Sequence, residues 1–134
     1  MKITHLIDTD WIIHYLLGED HITQELRRLR SDGLAVSVIS LAEVYEGVFY
    51  SRDPETSRKG FEDFLEGVSI LGVDEDICPV FAKERGRLRK EGSLIGDFDL
   101  LITSTCLSHE LTLLTNNVRH FERVNGLRFV SLLK

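Results

Sequence analysis

The sequence predicts a single α/β domain in which a short, mostly parallel sheet is covered by helices on both faces. Three observations support this fold class. The chain has 134 residues, the length of one domain with its own hydrophobic core. Short apolar runs typical of buried strands alternate with longer segments of helical periodicity. Turn residues separate these segments, and such alternation is typical of parallel sheets. We therefore expect one domain over residues 1–134.

In the first half of the chain, apolar runs and helical stripes predict two strands and four helices. Thr9 or Asp10 is the expected N-cap of the first helix, because short polar side chains accept hydrogen bonds from free backbone N–H groups there. Ser40 and Glu43 fit a capping box at the start of the third helix. The predicted strands are Ile3–Ile7 and Leu34–Ser37, and the predicted helices run through Leu17, over Ile22–Leu29, over Leu41–Phe49 and from Pro54 to Val68.

In the second half, three more strands and two long helices are expected. Asp76 is the expected N-cap of the first long helix, and Asp97 is the expected N-cap of the second. The predicted strands are Ser69–Val73, Thr112–Thr115 and Arg128–Leu132, with a turn at Asn125-Gly126. The apolar stripe of the first helix is Ile77, Val80, Phe81 and Leu88, and that of the second is Phe98, Leu101, Ile102, Thr105 and Cys106.

Several features point to a cytoplasmic protein without a membrane segment. No apolar run approaches the roughly 20 residues of a membrane span. Asp8 and Asp10 interrupt the apolar N-terminal stretch that a signal peptide would need. Cys78 and Cys106 lie inside amphipathic patterns, so we expect both to be small buried residues in a reducing compartment. The five histidines are scattered and form no zinc-type pair.

The charge distribution leaves two explanations of one basic segment open. The net charge of −6 argues against a nucleic-acid partner, although bound metal would neutralise part of it. Five basic residues nevertheless fall within one helical segment. They form either a solvated helix face or an edge that contacts phosphates or a partner. These residues are Lys83, Arg85, Arg87, Arg89 and Lys90.

Acidic or amide side chains stand at four junctions between strands and helices. Asp8 and Thr115 lie at the carboxyl ends of predicted strands, where parallel sheets bind ligands. Glu43 and Asp99 lie in the first turns of predicted helices, where the helix dipole favours carboxylates. Carboxylates crowded at one edge repel one another, and a hard divalent cation offsets that repulsion. The layout therefore predicts metal-dependent chemistry.

Each of these residues also has a purely structural explanation. Asp8 could cap the backbone, and Glu43 could serve only the capping box. Asp97 and Asp99 could only complement the helix dipole, although we expect Asp97 as the cap and Asp99 as the inward side chain. Asn117, with the asparagine before it, could be an ordinary turn residue. The joint occurrence of these signals favours a site.

At this point the chain resembles a known family, the PIN domains, and specifically the VapC toxin ribonucleases. The resemblance rests on the order Asp8, Glu43, Asp99 and Thr115-Asn116-Asn117. The segments that carry it are LIDTDWII, SVISLAEVYEG, GSLIGDFDLLIT and LTLLTNNVRHFERVNGL, which together span residues 6 to 127. The last two are the most specific.

The resemblance implies a PIN-like three-layer sandwich and cleavage of RNA by water with Mg²⁺ or Mn²⁺, leaving 5′-phosphate and 3′-hydroxyl ends. The implied metal-binding and catalytic residues are Asp8, Asp99 and Glu43, with Asp97 as a further ligand. Thr115, Asn117 and Asp10 would orient the ligands or water from behind. A cognate antitoxin is also implied. Exposed apolar surface should support a homodimer, or a heterotetramer or larger assembly with the antitoxin, with segments 20–32 and 54–68 as the expected dimer interface.

Two departures from the family pattern bear on the metal. Many PIN domains carry a fourth acid where this chain has Asn117, so a second cation would bind more weakly here. The position after Thr9 is often asparagine in these toxins, whereas this chain has Asp10. Asp10 could restore negative charge or only cap the helix.

Two other functions remain compatible with the sequence. Asp8-Thr9-Asp10 matches the Asp-x-Asp of haloacid-dehalogenase phosphatases, although the later lysine and acidic pair of that class are poorly represented. A non-catalytic module could instead use the acidic pocket to bind an arginine or lysine of a partner.

Overall fold

A five-stranded parallel sheet forms the centre of the computed structural model, which describes residues 2–132 of the chain. The strand order is β3-β2-β1-β4-β5, and every pairing between neighbours is parallel. The mostly parallel sheet expected from the sequence is therefore confirmed. The strands are β1 His5–Ile7, β2 Leu34–Ser37, β3 Ser69–Leu71, β4 Thr112–Leu114 and β5 Arg128–Val130.

Helices connect the strands and cover both faces of the sheet. Among residues 2–132, none of them combines the length and apolar composition that crossing a bilayer requires. The helices are α1 Thr9–Leu16, α2 Asp20–Leu29, α3 Val38–Phe49, α4 Pro54–Leu65, α5 Ile77–Lys90, α6 Asp97–His109 and α7 Val118–Phe121, with a 3₁₀ turn at Arg30–Asp32.

Two hydrophobic cores lie on opposite faces of the sheet, which gives the three-layer arrangement. The consecutive residues Leu6 and Ile7 are both fully buried, and they belong to different cores. The core around Ile7 collects buried side chains of α1, α2, α3 and α4. The core around Leu6 collects those of α6 and α7. Strands buried on both faces explain the continuous apolar runs in the sequence.

Three helix starts differ from the sequence prediction. Asp8, rather than Thr9 or Asp10, is the N-cap of α1, and its side chain accepts from the Thr9 N–H. Helix α3 begins at Val38 with Ser37 as its N-cap, so the predicted capping box of Ser40 and Glu43 is wrong. Gly96, rather than Asp97, is the N-cap of α6. In each case the helix begins one to three residues earlier than predicted, which places Glu43 in the second turn of α3.

Other departures concern burial and short elements. Phe98, which the sequence placed in the buried stripe of α6, is 57% exposed, and Leu100 is buried instead. Cys106 is buried as expected, but Cys78 is exposed. The short helix α7 was not predicted, since Val118–Phe121 is only one turn long. The cap position before α5 is Asp76 as predicted, yet it is the Asp74 side chain that accepts from the Ile77 N–H.

Candidate active site

Asp8 lies at the carboxyl end of β1 and is held by two hydrogen bonds. Its Oδ1 accepts from the Thr9 N–H at 2.8 Å, and its Oδ2 accepts from the Thr115 hydroxyl at 2.7 Å. The residue is 3% exposed. Burial, followed by the charge of Asp10 and more weakly that of Asp99, raises the pKa of Asp8 to about 7, against the lowering effect of both hydrogen bonds. Asp8 is therefore fixed in position and costly to ionise.

Asp10 is the second carboxylate of this site. Its Oδ2 accepts from the Asn116 N–H at 2.9 Å. Its Oδ1 is buried and has no hydrogen-bond partner in the part of the chain that the structure describes. Burial raises the pKa of Asp10, against the lowering effect of the Asn116 and Trp11 backbone N–H groups and of His14, and the charge of Asp99 adds weakly to the rise. A buried carboxylate oxygen without a partner is costly unless a positive group or a donor approaches it.

Asp99 completes a group of three carboxylates. It lies in the first turn of α6, where it was expected, and its side chain is 27% exposed. Its charge acts on both Asp8 and Asp10. Its Oδ2 lies 3.2 Å from Nδ1 of His120, a residue of α7 that the sequence did not single out. The structure thus brings Asp8, Asp10 and Asp99 into one electrostatic site.

Glu43 joins the site through the hydroxyl of Thr9. The Thr9 Oγ1 lies 2.8 Å from Glu43 Oε1 and 2.9 Å from the buried Ser40 hydroxyl. The backbone N–H of the same Thr9 donates to Asp8. Thr9 therefore links Glu43 to Asp8. Ser40 hydrogen-bonds to the same threonine instead of capping α3.

Thr115 and Asn117 also reach the site. The Asn117 N–H donates to the Thr115 hydroxyl at 3.0 Å, and that hydroxyl donates to Asp8. The Asn117 amide Nδ2 lies 2.9 Å from His120 Nδ1. Both residues therefore lie next to the carboxylates, and their supporting role stays a prediction.

Asp97 lies apart from this group. Its side chain is 63% exposed, and its Oδ1 accepts from Arg85 Nε at 3.0 Å. The structure does not bring Asp97 to the other carboxylates, because the first residue of α6 points away from Asp99, two positions later. It gives no support to a metal-binding role for Asp97.

Four residues of the site are not recognisable as functional residues from the sequence alone. Thr9 was considered only as a helix cap, and Ser40 only as part of a capping box. Asn116 was considered only as a turn residue, yet its Oδ1 accepts from Trp11 Nε1 at 3.0 Å. The spacing of three residues between Asn117 and His120 is the one signal that could have indicated His120, because residues three apart share a helix face.

The donor set fits a divalent cation in its chemistry but does not form a finished coordination shell. Within residues 2–132, no group of three or more His, Cys, Asp and Glu side chains is placed to hold a metal ion. The unpartnered Oδ1 of Asp10 and the raised pKa of Asp8 are the features that a cation would relieve. Carboxylate oxygens are also the ligands that Mg²⁺ prefers. The ligand roles of Asp8, Asp99 and Glu43 remain predictions.

The basic segment of α5 divides into paired and exposed residues. Arg85 contacts Asp97, and Arg87 bridges Glu84 and Glu91 at 2.9 and 2.8 Å. Lys83, Arg89 and Lys90 are exposed. Arg87 also donates to the Arg123 carbonyl at 2.8 Å, so it joins α5 to the segment after α7. The exposed Lys83, Arg89 and Lys90 are the residues of this segment best placed to meet an outside partner.

An apolar groove of about 460 Å³ opens beside Glu43. Helices α1, α3 and α4 form its walls, and Glu43 is the one charged side chain among the described residues that line it. The groove thus connects the acidic site with an apolar surface. Its apolar walls come from Ile13, Leu16, Leu17, Val44 and Val48.

A three-layer α/β domain with carboxylates at the carboxyl edge of its parallel sheet belongs to the class of α/β proteins that bind their ligand beyond the strand ends. The particular family follows from comparison with known proteins. The model of the PIN domain matches residues 5–127. The chain therefore belongs to the PIN domain family, and the haloacid-dehalogenase alternative is set aside.

Individual relatives are similar over nearly their whole length. Ribonuclease VapC1 of Haemophilus influenzae (strain R2866) is 34% identical over 127 residues, covering 93% of this chain and 95% of the relative. A tRNA(fMet)-specific endonuclease VapC of Shigella flexneri is 29% identical, covering 92% and 93%. Among solved structures, VapBC2 from Rickettsia felis bound to a DNA fragment from its promoter superposes with a TM-score of 0.92 at 26% identity, covering 98% of this chain and 100% of that one.

Proposed function

We propose that this chain is an endoribonuclease and the toxin of a toxin–antitoxin pair, and that it hydrolyses RNA phosphodiesters with Mg²⁺ or Mn²⁺. The observation that carries the proposal is the crowding of Asp8, Asp10 and Asp99 at one edge of the sheet. Relatives named as ribonucleases and a tRNA endonuclease support it.

A divalent cation, when bound, would help to activate water for attack on phosphorus and would offset the charge of the phosphate. Asp8 and Asp99 are the proposed principal ligands. Asp10 is a further candidate, because its buried Oδ1 lacks a partner among the described residues.

The protein's own side chains supply orientation. Thr9 and Thr115 each donate to a different oxygen of Asp8, which fixes the plane of that carboxylate. The Thr9 hydroxyl, between Ser40 and Glu43, fixes Glu43 in turn. Held in this way, Glu43 acts as a ligand or accepts a proton from the attacking water. Preorganised groups of this kind lose little entropy when the substrate binds.

A protein partner is proposed from the neighbourhood of the site. The groove beside Glu43 is apolar, whereas the site at its end is acidic. This combination fits a partly apolar antitoxin segment that folds on binding and brings an arginine or lysine toward Asp8, Glu43 and Asp99. The similar structure of VapBC2 from Rickettsia felis, bound to a DNA fragment from its promoter, supports a protein partner of this kind.

Cleavage of RNA in vitro tests the proposed activity. The purified chain is incubated with total RNA in Mg²⁺, in Mn²⁺ and in excess EDTA. We expect cleavage only with metal, and its loss in Asp8→Asn and Asp99→Asn. Asp63→Asn is the matched control, since Asp63 is an exposed carboxylate that contacts Lys59 on α4.

Two outcomes would overturn the proposal. Cleavage that persists in EDTA, or in Asp8→Asn, would contradict the metal-dependent mechanism. An intact chain that never cleaves RNA but binds a basic peptide at the acidic site would instead support the non-catalytic binding module.

A further inference from the structure

His120 occupies a position that the proposed function does not yet use. It lies on α7, and its side chain is 41% exposed, so its ring is not a core residue. Its Nδ1 is 3.2 Å from Asp99 Oδ2 and 2.9 Å from Asn117 Nδ2. One ring nitrogen thus faces a carboxylate and an amide together.

The Nδ1 atom of His120 cannot hydrogen-bond to both groups at once, because the Asn117 Nδ2 is a donor and the Asp99 Oδ2 is an acceptor. Nδ1 either donates its one hydrogen to the Asp99 carboxylate or accepts one from the Asn117 amide. A hydrogen bond to an ionised acceptor is the stronger of the two. The donating tautomer is therefore favoured, and a half-turn of the Asn117 amide would then present its oxygen to the ring instead.

We infer that His120 is a positioning residue for Asp99, and that Asn117 makes this possible; the inference rests on the proposed function. An acid at position 117 would compete with Asp99 for the single Nδ1 hydrogen. Asn117 carries no charge, so Asp99 takes that hydrogen. The bond engages Oδ2 and leaves Oδ1 of Asp99 for a cation. The neutral imidazole suffices for this role.

Manganese binding to the metal-free full-length chain tests the inference without any dependence on catalysis. The free Mn²⁺ signal in electron paramagnetic resonance gives the dissociation constant for each variant. His120→Ala removes the donor, and we expect binding to weaken by about tenfold, as is usual when a group that orients a metal ligand is lost. His120→Asn places an amide N–H where Nδ1 stood, and we expect affinity within about twofold of the original. Arg119→Ala, at an exposed neighbour on α7, is the control and should change nothing.

Kinetics add a second readout. At saturating RNA and fixed Mn²⁺, His120→Ala should lower kcat with little change in KM, and higher Mn²⁺ should restore kcat. His120→Asn should retain most of kcat under the same conditions.

The outcomes separate this inference from the proposed function. Equal weakening of Mn²⁺ binding in His120→Ala and His120→Asn would overturn the inference, because the ring itself would then matter rather than its donor. Unchanged binding in both variants would overturn it as well. Asp99→Asn decides the other question: if that variant binds Mn²⁺ as well as the original chain, the proposed metal site fails, whatever His120 does.

Discussion

Asp8 is the residue at which burial and charge conflict most directly. Its carboxylate lies in a nearly closed site with two other acids nearby, and its pKa is raised to about 7 from an ordinary value of 3.8. Between these two values the folded protein keeps a proton that the unfolded chain releases. Stability of the metal-free protein should therefore fall as pH rises from about 4 to about 7.

The substitution Asp8→Asn tests this conflict. Asparagine removes the charge, so the melting temperature in EDTA should rise at pH 8 by several degrees, on the order of 1–3 kcal/mol of unfolding free energy. The gain should shrink at pH 5, where Asp8 is already protonated. Differential scanning calorimetry at both pH values measures it. An equal loss of stability at both pH values would contradict this prediction. It would mean that the hydrogen bonds from Thr9 and Thr115 stabilise the fold by more than the buried charge of Asp8 destabilises it.

At the scale of elements, helix α3 depends on a cap that the sequence analysis missed. The Ser37 side chain accepts from the Ile39 N–H at 3.0 Å. Ser37→Ala should cost about 1 kcal/mol of unfolding free energy, the usual value for a lost cap. Urea unfolding followed by circular dichroism measures this cost. An unchanged unfolding midpoint would show that α3 begins elsewhere.

Helix α5 allows a sharper test of the basic segment. Charge reversal of the exposed pair, Arg89→Glu with Lys90→Glu, should weaken RNA binding and flatten its salt dependence if these residues contact phosphates. Arg87→Glu is unsuitable because Arg87 bridges Glu84 and Glu91. Fluorescence anisotropy at several salt concentrations reports the slope. An identical slope in the variant would assign the segment to a solvated helix surface.

The sequence predicted the long elements well because their apolar periodicity is strong. The stripe that contains Val44 and Val48 lies in the core as expected. Helix starts were predicted less well, since Ser37, Ser40 and Asp97 are all acceptable caps locally and tertiary contacts decide among them. An acid at the end of a strand indicated Asp8, and an acid in the first turn of a helix indicated Asp99. Contacts across the fold, such as those between Thr9 and Glu43 or His120 and Asp99, leave no periodic signal in the sequence.

At the scale of the whole molecule, the exposed apolar surface lies away from the predicted dimer interface. The buried side chains of 20–32 and 54–68, among them Leu26 and Phe61, face the core instead. The large exposed apolar side chains nearby are Leu17, Phe49 and Tyr50, with Tyr50 at 87% exposure. Because Leu17 also lines the groove assigned to the antitoxin segment, we expect the homodimer to use the end of α3 around Phe49 and Tyr50.

Light scattering coupled to size exclusion tests this assembly. Phe49→Lys with Tyr50→Lys should convert a dimer into a monomer at micromolar concentration, because charged residues at an apolar interface lose hydration without a partner. Arg27→Glu, on the exposed face of α2, should leave the dimer intact. The opposite pattern would restore segment 20–32 as the interface, and a monomeric original chain would contradict the proposed homodimer.

We propose that the carboxylates at the sheet edge direct water against RNA phosphodiesters. Sequencing of RNA ends after expression in a bacterial host, with libraries that distinguish 5′-phosphate from 5′-hydroxyl ends, tests it most directly. We expect discrete new 5′-phosphate ends with the original chain and none with Asp8→Asn or Asp99→Asn. New 5′-hydroxyl ends would indicate attack by a ribose 2′-hydroxyl and would contradict the proposed attack by water. The same 5′-phosphate ends in the Asp8→Asn variant would contradict the proposed role of the carboxylates.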